Sequence, residues 1–131
     1  MATVDHVSAI VQDLEKAVKM FVDVFGFKTG PISENPVFGI KFAFLEGKNT
    51  KLELIQPIAQ GPYLEFLEKR LFGFNHIAIQ VDNLSETAER LSKLGIKTRT
   101  ESPFVGGRGS VWDLDPKTTQ EVRLQIFEAK K

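Results

Sequence analysis

The sequence predicts an α+β fold built from two tandem βαβββ modules, forming a curved mixed sheet with helices on its outer face. Three recurrences predict it. Asp5-His6-Val7-Ser8-Ala9-Ile10-Val11-Gln12-Asp13-Leu14 is echoed by Asn75-His76-Ile77-Ala78-Ile79-Gln80-Val81-Asp82-Asn83-Leu84 at an offset of 70 residues. Gly26-Phe27-Lys28-Thr29 is echoed by Gly95-Ile96-Lys97-Thr98 at 69, and Leu52-Glu53-Leu54-Ile55 by Leu124-Gln125-Ile126-Phe127 at 72. A nearly constant offset across three anchors marks a duplication, and two long copies do not make a solenoid. The modules run over 4–60 and 73–128, with a linker helix over 61–72, inside one domain of residues 1–131.

Each module opens with a strand. Val4 to Val11 is short, apolar and rich in β-branched residues. Asp13 is placed to cap a helix, and Leu14, Ala17, Val18, Phe21, Val22 and Phe25 recur at helical spacing until Gly26 ends it. In the second module Asn83 caps, Glu86 stands three residues on as in a capping box, and Leu84, Ala88, Leu91 and Leu94 form the stripe before Gly95. Three strands are expected after each helix. They are Phe27 to Thr29, Gly39 to Leu45 and Lys51 to Gln56, then Ile96 to Thr98, Ser110 to Leu114 and Glu121 to Glu128. In the linker, Pro62 suits the first turn of a helix over Tyr63 to Leu71, Lys69-Arg70 is its solvated end, and Phe72-Gly73-Phe74 anchors it.

Composition narrows the chemistry. Seventeen basic and seventeen acidic residues cancel, which gives no bulk reason to expect nucleic acid or an anionic membrane as partner. The chain has no Cys, which excludes disulfides, thiol nucleophiles, iron–sulfur clusters and Cys-ligated zinc. No apolar run approaches the roughly 20 residues of a membrane span, and the N-terminus lacks the pattern of a secretory signal, so a cytoplasmic location is expected. His6 and His76 are the only imidazoles.

Strand periodicity puts His6, Ser8 and Ile10 on one face and Val7, Ala9 and Val11 on the other. The second copy sets His76, Ala78 and Gln80 against Ile77, Ile79 and Val81. On the last strands Glu53 and Gln125 oppose Leu52 and Leu54, and Leu124 and Ile126. If the first and last strands of each module lie side by side, His6, Glu53, His76 and Gln125 converge on the concave face. A lone His on a strand is more often a satisfied rim or core residue than a ligand. The repeat changes that balance, because the only two His are matched, and each has an oxygen-bearing partner at a matched position. Two imidazoles with oxygen donors suit a divalent metal such as Mn, Co, Ni, Fe or Zn.

At these residues the chain resembles the vicinal oxygen chelate (glyoxalase/bleomycin resistance/dioxygenase) superfamily, and within it the methylmalonyl-CoA epimerase family. The matching stretches are Asp5-His6-Val7, Gln12 to Ala17, Asn49 to Pro57, Phe66 to Arg70, Asn75 to Ala78, Val81 to Leu84 and Pro116-Lys117. The resemblance implies a metal held by His6 and Glu53 from one half and His76 and Gln125 from the other. It also implies a small-molecule substrate such as an acyl-CoA, a homodimer, and an enzyme that draws a proton from C2 of the substrate through a metal-stabilised enolate. Glu53 is then the candidate base. Gln125 stands where family epimerases usually carry Glu, although some members carry Gln in the first half and Glu in the second. Asp115-Pro116-Lys117 stands where they commonly have His-Pro-Lys.

Other readings remain open at this point: a glyoxalase-type lactoylglutathione lyase, an extradiol-type dioxygenase, which Gln125 disfavours, and a metal-free binding or resistance protein. Val105-Gly106-Gly107-Arg108-Gly109 lacks the Lys-Ser/Thr of a P-loop and reads as a mobile loop, or as a flap that brings Arg108 to a substrate anion. Trp112 and Phe127 are further candidates for lining the substrate cavity.

Overall fold

The computed structural model describes residues 2–69 and 73–131; Arg70, Leu71 and Phe72, expected at the end of the linker helix, lie outside them. The chain divides into two compact units, one of His6–Asn75 and the other of His76–Lys131 together with Met1–Asp5.

Strand β1 (Thr3–Ile10), which belongs to the first unit from His6 onward, leads through Asp13 into helix α1 (Leu14–Phe25). The Asp13 carboxylate accepts from the Lys16 amide at 3.0 Å, satisfying one of the donors a helix start leaves open. Gly26 closes the helix at φ 78°, a conformation a side chain would strain. The strands that follow are β2 (Lys28–Thr29), β3 (Ser33–Asn35), β4 (Ile40–Glu46) and β5 (Lys51–Pro57). β5 pairs parallel with β1 and antiparallel with β4, and β2 and β3 both pair with β4. β3 is an element that the periodicity did not announce. It is short, polar and mostly exposed, so no burial pattern marks it.

The α1 stripe packs on the Leu52/Leu54 face. Leu14, Ala43, Leu45 and Leu54 form a buried cluster joined by Ala17, Val18 and Phe21. Phe25, expected in that stripe, is the last residue of α1 and is exposed. On the other face of the sheet, Ile10, Ile40 and Ile55 are covered by Phe38, Phe42 and three residues of helix α2 (Pro62–Glu68), namely Tyr63, Phe66 and Leu67. Lys41 reaches from β4 to Glu15 of α1 at 2.9 Å, and its ammonium holds the Glu15 carboxyl below the usual range.

The second unit repeats the plan. Strand β6 (Gly73–Gln80), which belongs to this unit from His76 onward, helix α3 (Leu84–Lys93), and strands β7 (Phe104–Val105), β8 (Gly109–Asp113) and β9 (Leu124–Ala129) follow in order. β9 pairs parallel with β6 and antiparallel with β8, which pairs in turn with β7. Asn83 caps α3 by accepting from the Glu86 amide at 2.9 Å. Leu84, Leu114 and Ile126 form the core, with Ala88, Leu91, Trp112 and Leu124 around it.

Two details depart from the expectation. Ile96 to Thr98 forms only a single bridge, Thr98 to Leu114, and the second strand of this unit sits instead at β7. The glycine run is a hydrogen-bonded hairpin tip rather than an open loop. The Gly106 amide donates to the Gly109 carbonyl at 2.8 Å, and the Lys130 amide to the Arg108 carbonyl at 2.9 Å. Gly109 has φ 148°, and a Cβ there would lie 2.1 Å from the Glu128 carbonyl oxygen, so the close approach of β8 to β9 requires glycine.

Both units fasten helix to strand in the same way. The Leu14 amide donates to the Gln56 side chain at 2.8 Å, and the Leu84 amide to the Glu128 carboxylate at 2.6 Å. Among the described residues no helix is long and apolar enough to cross a membrane.

Candidate metal centre

In the first unit, parallel pairing sets Ser8 opposite Glu53, and antiparallel pairing sets Phe44 on the other side of it. Alternation along β1 puts His6 on the same face as Ser8. His6 Nε2 lies 3.5 Å from Glu53 Oε1, with the imidazole buried and the carboxylate almost so. The Phe44 ring meets the imidazole edge-on at 5.2 Å and 86°, which fixes its plane. Ser8, fully buried, donates its hydroxyl to Glu53 Oε1.

The 3.5 Å gap is wider than the about 2.7–3.2 Å of a good N–H···O hydrogen bond. The two atoms are close enough for one divalent ion to be held by both. An imidazole nitrogen and a carboxylate oxygen withdrawn from water are a donor set that fits a divalent cation.

In the second unit the pairing of Ala78 with Gln125 takes the place of Ser8 with Glu53. His76 and Gln125 are both buried. His76 stands two residues before Ala78, as His6 does before Ser8, so His76 and Gln125 share a face in the same register. A hydroxyl faces the carboxylate in one half, and a methyl group faces the amide in the other.

Register also places Phe127 on the Gln125 face and Trp112 on the opposite one, beside Ile126. Trp112 joins the core under α3, and its indole N–H donates to the Thr100 carbonyl at 3.0 Å. The structure thus brings Phe127, but not Trp112, to the face that carries Gln125. Arg108 lies with its guanidinium 4.8 Å from the Phe127 ring centroid. Its Nη2 donates to both oxygens of the buried Asp5 carboxylate at 3.1 and 2.8 Å.

Sequence reasoning assigned no role to Ser8, Phe44 or Asp5. Period-2 alternation already put Ser8 beside His6, and Asp5 occupies the polar position that precedes His in both halves. Their partners lie 45 and 103 residues away, which no local pattern reveals.

The sequence matches the Glyoxalase/Bleomycin resistance protein/Dioxygenase superfamily over residues 5–111. The mitochondrial methylmalonyl-CoA epimerase of Mus musculus is 32% identical, with 98% of this chain and 74% of that protein aligned. The lactoylglutathione lyase of Salmonella typhimurium is 31% identical over 95% of this chain and 91% of its own. The crystal structure of methylmalonyl-CoA epimerase from Mycobacterium tuberculosis superposes with a TM-score of 0.91 at 26% identity, covering 98% of this chain and 89% of that one. With the α+β repeat, the matched His positions and these likenesses in agreement, the chain belongs to the glyoxalase/bleomycin resistance protein/dioxygenase superfamily.

Proposed function

We propose that the chain is a metal-dependent epimerase that removes and returns the C2 proton of methylmalonyl-CoA or a related acyl substrate. The observation that carries this reading is the buried His6–Glu53 pair, with a spacing one divalent ion can bridge. His76 and Gln125 repeat the arrangement in register, and the epimerases among the relatives support it. In this reading His6, Glu53, His76 and Gln125 hold one divalent ion, and Co, Mn, Ni, Zn and Fe all accept such nitrogen and oxygen donors. When bound, the ion supplies Lewis-acid stabilisation for negative charge building on the substrate oxygens.

The chain's own residues do the rest. Glu53 takes the C2 proton, because it is the carboxylate of the set, and Ser8 and Phe44 shape its surroundings. Gln125 does not titrate, so it orients and exchanges no proton. Arg108 and Phe127 offer a cation and a ring face to the acyl substrate on the Gln125 side. A homodimer completes the reading, as the family resemblance implies.

The test is incorporation of deuterium at C2 of methylmalonyl-CoA in heavy water, with Co or Mn supplied. Wild-type protein incorporates it, and Glu53→Gln loses at least about 100-fold, the usual contribution of a general base, with an unchanged circular dichroism spectrum. Wild-type exchange in Glu53→Gln removes that residue from the role. The similarity to a lactoylglutathione lyase favours one second reading, a glyoxalase-type lyase. Turnover of a hemithioacetal without C2 exchange on methylmalonyl-CoA would select it.

A further inference from the structure

We infer that Ser8 is a positioning residue for Glu53: its hydroxyl fixes the carboxylate in the orientation that binds the ion. The inference rests on the metal reading above. Ser8 is fully buried in β1, and its hydroxyl donates to Oε1 of Glu53, the same oxygen that faces His6 Nε2. A glutamate side chain has three rotatable bonds, and holding one of its oxygens at a fixed donor removes most of that freedom. The hydroxyl also supplies a proton to an acceptor-only group that burial has taken from water.

The second half provides an internal comparison. Ala78, also fully buried, stands at the matched position opposite Gln125. An amide carries no charge, so burying its oxygen without a hydroxyl donor costs less than burying a carboxylate without one. A buried hydroxyl occurs where the partner is the carboxylate and is missing where the partner is the amide. That pattern is expected if Ser8 serves Glu53 and unexpected if it merely fills space. It also shows that this β-strand position accepts alanine within the same local architecture, so Ser8→Ala is a substitution the fold tolerates.

Loss of a hydrogen-bond partner behind a metal ligand typically costs about 10–100-fold in metal affinity. The experiment is a Co(II) titration of wild-type, Ser8→Ala, Glu53→Gln and the double variant. It is followed by visible absorption of the bound cobalt and by the metal-dependent rise in Tm. Ser8→Ala is expected to weaken cobalt binding about 10–100-fold and to alter the absorption bands. In the Glu53→Gln background the same change is expected to have no further effect, because the partner it acts through is gone. Ser8→Ala with wild-type affinity and spectrum would overturn the inference, and so would an equal loss in both backgrounds. If wild-type protein itself binds no cobalt, the metal reading falls and the role of Ser8 with it. A wild type that binds cobalt but exchanges no C2 proton removes only the epimerase assignment.

Discussion

Arg108→Ala should destabilise the fold more than Asp5→Asn, although both break the same ion pair. The Asp5 side chain is 5% exposed and that of Arg108 37% exposed. Without Arg108 the Asp5 carboxylate loses the guanidinium nitrogen that bonds both of its oxygens while staying buried. Breaking a fully buried pair in this way costs about 3–5 kcal/mol, and water access to the arginine side reduces that to about 2–3 kcal/mol. Lost packing of the guanidinium on Phe127 adds ~0.5 kcal/mol. In Asp5→Asn the arginine is left with access to water and a neutral acceptor, so a cost of ~1 kcal/mol is expected. At about 3–5 °C per kcal/mol for a chain of this size, Arg108→Ala should lower Tm by roughly 8–17 °C and Asp5→Asn by about 3–5 °C. Urea unfolding of the two single variants and the double variant at pH 7 measures the difference. The double variant should cost about 1–2 kcal/mol less than the sum, because it no longer buries a charge that has lost its guanidinium. Equal costs for the two single variants, or additivity in the double, would refute the reasoning from asymmetric burial.

Two further stability changes are expected. Gly109→Ala forces a methyl group to within 2.1 Å of the Glu128 carbonyl and should prise β8 from β9, costing about 2–4 kcal/mol in urea unfolding. Leu54→Ala, at a position 1% exposed in the cluster under α1, should cost about 2–5 kcal/mol as a cavity opens, and near-wild-type stability there would mean that the cluster collapses to fill it.

What could be read in the chain beforehand follows the range of the interaction that decides it. Asp13 and Asn83 cap helices by bonding an amide three residues on, so their role is written locally. Strand alternation likewise assigned His6, Ser8, Glu53 and Gln125 to their faces before any contact was known. Pairing partners are decided by the fold. Nothing near Asp5 points to Arg108, and nothing near Trp112 distinguishes a cavity wall from the core under α3. β3 escaped because a three-residue polar edge strand is held by its hydrogen bonds to β4 alone. The glycines of 106–109 were visible, but the strand they must approach lies twenty residues further on. Phe25 shows the converse: helical spacing marks it as part of the stripe, yet as the last residue of α1 it stays exposed.

The fastening of each helix to its last strand has a consequence for the history of the duplication. Glu53 and Gln56 on β5 correspond to Gln125 and Glu128 on β9, so the acid and the amide have traded places between the copies. Each of these strands keeps one acid, and both helix starts keep an acceptor. A chain assembled from two copies of the second half would conserve charge and both caps, yet would lack a carboxylate at either of the proposed ligand positions. Two copies of the first half would have two. The halves have become complementary parts, and neither can stand in for the other.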